Sequence, residues 1–126
     1  MLGIAEHTVT AADGTAAVVV TPRGELDLAA IASLDRALRS ALATAGPQPR
    51  LVIDLSDVSV LHPVVLGVLL DARRRCHNAG GATALVVASP EVAATLAETG
   101  VAPLFETGAE LQAALAHISG AAHSNH

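Results

Sequence analysis

The sequence predicts a single α/β domain in which about four helices pack on a mainly parallel central sheet of four to five strands. Three observations predict it. Short β-branched runs alternate with longer segments of helical period, the arrangement in which helical crossovers join parallel strands. Glycine or proline punctuates nearly every boundary between them. The chain has 126 residues, 52% of them apolar, which suits one compact core and gives no ground for two domains.

The elements follow in order. Ala16-Ala-Val-Val-Val-Thr21 lies between the turn signal Asp13-Gly14 and Pro22 and reads as a strand, with Ile4 to Thr10 as its hairpin partner. After Gly24-Glu25-Leu26-Asp27, the residues Leu28, Ile31, Leu34, Leu38 and Leu42 recur at spacings of three and four, as one helix face requires, and that helix ends near Gly46-Pro47. Leu51-Val-Ile-Asp54-Leu55 suits a central strand buried on both faces, followed by a polar loop at Ser56-Asp57. His62-Pro63 precedes a second helical run, Val64 to Ala79, that closes on Gly80-Gly81.

Ala82-Thr-Ala-Leu-Val-Val87 is a further buried strand, and Ser89-Pro90-Glu91 supplies an N-cap, a first-turn proline and an early negative charge for a third helix ending near Thr99-Gly100. Leu104-Phe105 reads as a last short strand, and Thr107-Gly108-Ala109-Glu110 opens a helix carrying Leu111, Leu115 and Ile118 on one face. The expected order is β-β-α-β-α-β-α-β-α. The domain is expected over residues 1–118, with 119–126 as a disordered tail.

Composition narrows the function. The net charge is -5, all basic residues are arginine, and Phe105 is the single aromatic residue, so neither a phosphate-neutralising surface nor a base-stacking platform is available for nucleic acid. Cys76 stands alone and forms no intrachain disulfide, which fits a reduced, cytoplasmic setting. The first residues lack the basic start and long apolar stretch of a signal peptide, and the longest apolar run, Val64 to Leu70, is far short of the ~20 residues that cross a bilayer. No enzyme constellation emerges: Cys76-His77 are adjacent on a helix and diverge, and no phosphate loop ends in lysine. His123 and His126 lack the further ligands of a metal site, so no cofactor or metal is expected.

Four segments together resemble the STAS domain family, and within it the bacterial anti-anti-sigma factors, or anti-sigma factor antagonists. They are Gly24-Glu25-Leu26-Asp27, Leu51-Val-Ile-Asp54-Leu55-Ser56-Asp57-Val58, Leu66-Gly67-Val68-Leu69-Leu70, and Thr99-Gly100-Val101 followed by Leu104-Phe105. The resemblance covers about residue 4 to residue 118 and implies the same element order. It implies transcription regulation by partner switching, in which the protein binds a switch-protein kinase and so frees a sigma factor. One departure stands out. Where these relatives read Asp-Ser-Ser-Gly or Asp-Ser-Thr-Gly, this chain reads His62-Pro63-Val64-Val65, and neither Pro63 nor Val64 has the hydroxyl that phosphorylation needs.

The resemblance places a partner contact at Glu25, Asp27, His62, Pro63, Val64, Val65, Leu66 and Gly67. Each has a simpler structural reading as well: Glu25 or Asp27 as a helix cap, and Val64-Val65 as valines turned inward at a helix start. His62 is either a loop histidine or a group that changes charge near neutrality. Ser56 is a structural serine that bonds nearby backbone, and Arg73-Arg74-Arg75 fan out around a helix as a solvated face. The leading expectation is a non-phosphorylatable module that binds an anti-sigma factor or switch-protein kinase. The alternatives are a small-molecule or nucleotide sensor with a pocket at Val64-Val65, and a structural subunit of a STAS assembly, including a homodimer.

Overall fold

A computed structural model describes residues 3–11 and 13–124, with side chains as far as Ile118. Strands β1 (Gly3–Thr10) and β2 (Ala16–Leu26) lead into α1 (Ile31–Ala45), β3 (Arg50–Asp54) and β4 (Val58–Leu61). Then come α2 (Leu66–Asn78), β5 (Ala82–Val86), α3 (Pro90–Glu98), β6 (Glu106–Gly108) and α4 (Leu111–Ser124). Short 3₁₀ turns at Leu28–Ala30, Pro63–Val65 and Ala102–Leu104 precede α1, α2 and β6. The tail expected from Ser119 falls on the last turns of α4 and on residues 125 and 126, which lie outside the described residues.

The strand order is β1-β2-β3-β5-β6, with β4 also on β2. Only β1 runs antiparallel, from Gly3↔Arg23 to Thr10↔Ala16. The rest is parallel, each step made by a helix as right-handed crossover geometry favours. The sheet thus has six strands, more than the four to five expected. The strand that periodicity missed, β4, is four residues long, and its place is set by β2. Residues Val18 to Val20 of β2 pair with β3, and the stretch from Gly24 to Leu26 overhangs that strand and pairs with β4.

The overhang also explains how β2 runs through Pro22. The Gly24 N–H donates to the Asp57 carbonyl on the β4 side, and two-residue alternation sends the Pro22 nitrogen the same way. There it faces the gap between the last β3 pair, Val20↔Ile53, and the first β4 pair, Gly24↔Val58. A missing donor costs no ladder bond at that point.

At the other edge, Leu104 ends a 3₁₀ turn and Phe105 is buried, so the last strand begins at Glu106 rather than at Leu104-Phe105. Its end at Gly108 passes under α4 so closely that a Cβ there would lie 2.6 Å from the Ala114 nitrogen. Thr107 and Gly108 therefore belong to β6, and α4 opens at Leu111.

Alternation along β2 and β3 divides the core. Val18, Val20, Leu51 and Ile53 face α1, α2 and α3, where Leu34, Leu38, Leu69 and Leu96 are buried. Ala17, Val19 and Val52 face α4, which contributes Ala114, Leu115 and Ile118. Each fully buried leucine or isoleucine contributes ~1.5–3 kcal/mol. The helix α4 packs on β3, β5 and β6, so the far end of β2 and its partner β4 fall outside its cover.

One backbone contact fixes the return from α2 to β5. The Pro49 carbonyl accepts from the Ala82 N–H at 3.0 Å, and a Cβ on Gly81 would sit 1.8 Å from that oxygen. Gly81→Ala is expected to destabilise the domain by at least ~1–3 kcal/mol, as overpacking does, measured by urea denaturation.

Candidate functional site

The parallel pairing of β2 and β4 ends at Leu26↔Leu61, and the two chains leave the sheet side by side. The next residue in each case caps a 3₁₀ turn. The Asp27 carboxylate (Oδ1) accepts from the Ala29 N–H at 3.1 Å, and His62 Nδ1 accepts from the Val64 N–H at 3.1 Å. The His62 N–H donates back to the Leu26 carbonyl at 2.8 Å, which ties the second turn to the first. Pro63, at the first position of its turn, lacks only an N–H that would have no partner there.

This geometry sorts the residues expected at an interface. Glu25, His62, Pro63 and Gly67 are exposed, Asp27 is half-buried, and Val64 is 42% exposed. Val65 and Leu66, expected on the same surface, point into the core at 0% and 5% exposure. A 3₁₀ turn carries side chains at three residues per turn, so Val64 and Val65 diverge, and Val65 and Leu66, the first residue of α2, take core positions.

Two residues that sequence reasoning passed over join the surface. Leu28, assigned to the apolar face of the first helix, is 71% exposed because it lies in the 3₁₀ turn before α1, out of phase with Leu34 and Leu38. Val60, opposite Glu25 in the β2–β4 register, is 47% exposed. It alternates with buried Val58 and Leu61 and lies beyond the reach of α4. The unusual signal in the sequence was a valine flanked by Ser59 and Leu61, legible only once β4 is known to be a strand. The two turns lie against each other, so Leu28 and Val64 share one end of the sheet with Val60. The formal charges beside them are Glu25 and Asp27. Arg23 is drawn to Asp57 at 3.4 Å.

Little here supports chemistry. The Ser56 hydroxyl donates to Asp54 Oδ1 at 2.6 Å and the Ser59 hydroxyl to the Gly24 carbonyl at 3.3 Å, so both serve the turn and the β2–β4 junction. Cys76 is buried among apolar side chains, and burial raises its thiol, the opposite of an activated nucleophile. Arg74 and Arg75 both hydrogen-bond Asp71. Among the described residues no group of three or more His, Cys, Asp or Glu side chains could hold a metal ion. His126 lies outside the described residues. No helix among the described residues is long and apolar enough to cross a membrane.

The His62 cap gives a direct test of this local account. His62→Ala is expected to cost ~0.5–2 kcal/mol by removing the acceptor for the Val64 N–H, whereas His62→Asn, whose side chain also caps, restores most of it. Urea midpoints of the three proteins measure the difference.

The geometry has counterparts among known proteins. The STAS domain matches residues 8–114. An anti-sigma factor antagonist from Mycobacterium paratuberculosis superposes with a TM-score of 0.76 at 26% identity, over 93% of this chain and 95% of its own. The anti-sigma factor antagonist SpoIIAA in its unphosphorylated form gives 0.73 at 20% identity, over 94% and 97%. The Bacillus cell fate determinant SpoIIAA in its phosphorylated form gives 0.65 at 19%, over 92% and 99%. No protein of curated function matches the sequence significantly. With one antiparallel hairpin, a parallel sheet, four helices and a family match running from β1 into α4, this chain belongs to the STAS domain family.

Proposed function

We propose that this chain is a regulatory, non-enzymatic protein-binding module of the anti-sigma factor antagonist type, acting in the bacterial cytoplasm. It docks an anti-sigma factor or switch-protein kinase through the paired turns after β2 and β4, and it does so without phosphorylation at the family's usual serine position. One observation carries the reading: the turn His62-Pro63-Val64-Val65 keeps a capped, exposed helix entrance with no hydroxyl in it. The switch that a phosphate would provide is absent, and an apolar contact takes its place.

Two further features support docking at this place. Leu28, Val60 and Val64 are among the most exposed large apolar residues of the described chain, and apolar groups gathered at one end of a sheet favour burial against a partner. Gly67 lies in the first turn of α2, and a Cβ there would meet nothing within 4 Å. Helical glycine costs ~0.5–1 kcal/mol relative to alanine, so the fold itself does not ask for glycine at this position. A partner backbone approaching closely does.

Three outcomes follow. Incubation with a switch-protein kinase and ATP is expected to leave the intact mass unchanged; a stoichiometric phosphate adduct contradicts the reading. Val64→Asp is expected to weaken capture of an anti-sigma factor at least about tenfold, because a carboxylate would be desolvated on docking. Undiminished capture by a folded Val64→Asp protein removes the turn from the interface. Gly67→Ala is expected to raise thermal stability while lowering partner affinity, a pairing that a purely structural role does not produce.

A further inference from the structure

A second feature lies away from the paired turns. Between α1 and α2 runs a groove with a cavity of about 300 Å³. Leu42, Ala43, Pro49 and Ala79 supply its apolar lining, and Arg39 and Arg75 stand on its two walls. Neither Val64 nor Val65 lines it, so it is distinct from the surface described above and independent of the docking reading.

The arginines form part of an ion-pair network. Arg39 Nε donates to Asp35 Oδ2 at 2.9 Å, and Arg75 Nε donates to Asp71 Oδ2 at 2.8 Å. Arg74 also donates to Asp71. Arg39 Nη2 reaches the same Asp71 Oδ2 at 3.9 Å, too long for a hydrogen bond, which holds the two guanidinium groups side by side. Hydrogen bonds from Arg75 and Arg74 keep the Asp71 carboxyl below its ordinary range. Three guanidinium groups then face two carboxylates, Asp35 and Asp71, and one positive charge is left over.

That surplus is presented with donors to spare. Among the described residues, Arg39 and Arg75 hydrogen-bond only through Nε, so their Nη nitrogens carry no hydrogen bond, although Arg39 Nη2 stands 3.9 Å from Asp71 Oδ2. A paired Nη fork matches the two oxygens of a carboxylate. The nearby end of α2 opposes an anion less than an open helix end would, because the Arg75, Cys76 and His77 carbonyls accept from Ala79, Gly80 and Gly81.

We propose that this groove binds a small monocarboxylate with a short aliphatic body, its carboxylate held by Arg39 and Arg75 and its chain lying on Leu42, Ala43 and Ala79. The single uncompensated charge sets the ligand at one negative charge, and the volume, at the lower end of ligand pockets, sets a short chain.

The test is a titration of the full ¹⁵N-labelled chain with hexanoate, followed by amide shifts. Saturable shifts centred on Leu42, Ala43 and Ala79 are expected, absent with hexanol and with inorganic phosphate at equal concentration. Arg39→Gln and Arg75→Gln should each weaken hexanoate about tenfold, with the remaining spectrum unchanged as the check on folding. Equal response to hexanol, unaltered affinity in the double variant, shifts centred on Leu28 and Val64, or no saturable shift at all would each overturn the proposal.

Discussion

The structure depends on how β2 divides its inner edge. Eleven residues long, it outruns β3, which pairs only with Val18 to Val20, and its last three residues need a second partner. An unpaired buried edge would leave several peptide groups unsatisfied, and β4 meets that requirement. The gap between the two partners is where Pro22 fits, and the register shift between Gly24 and Glu25 turns the strand end toward β4. Because β2 and β4 then finish together, the two segments that follow them emerge as neighbours. The candidate site is a consequence of that strand length.

The same constraint explains why a departure from the family pattern leaves the scaffold unharmed. A segment leaving β4 must turn into α2 at once and needs an acceptor for its first free N–H groups. His62 provides one through Nδ1, which accepts from the Val64 N–H. Proline preorganises the turn, and Val65 and Leu66 anchor it in the core. Under the proposed function, Val64 presents a methyl surface at the place where phosphorylation would need a hydroxyl.

The β-branched runs at residues 16–21, 51–55 and 82–87, and the apolar spacing of Leu34, Leu38 and Leu69, made the layered α/β plan and most boundaries legible in the sequence. Local pattern failed where a distant strand decides the structure. Val58 to Leu61 is too short to carry its own signal and is a strand because β2 reaches it. Leu28 has the right spacing for a core position yet lies in a 3₁₀ turn, which puts it in solvent. At the site, Glu25, Asp27, His62, Pro63, Val64 and Gly67 are accessible or partly so, whereas the inward turn of Val65 and Leu66 and the exposure of Val60 depend on helix phase and on the reach of α4.

Hydrogen exchange of the full chain, alone and with an anti-sigma factor bound, tests the central claim most directly. The two capped turns form one surface, so the account predicts that amides of residues 27–30 and 62–67 gain protection together, while β1 and the groove between α1 and α2 are unaffected. Protection confined to β1 or to α4, with both turns exchanging as in the free protein, would contradict it.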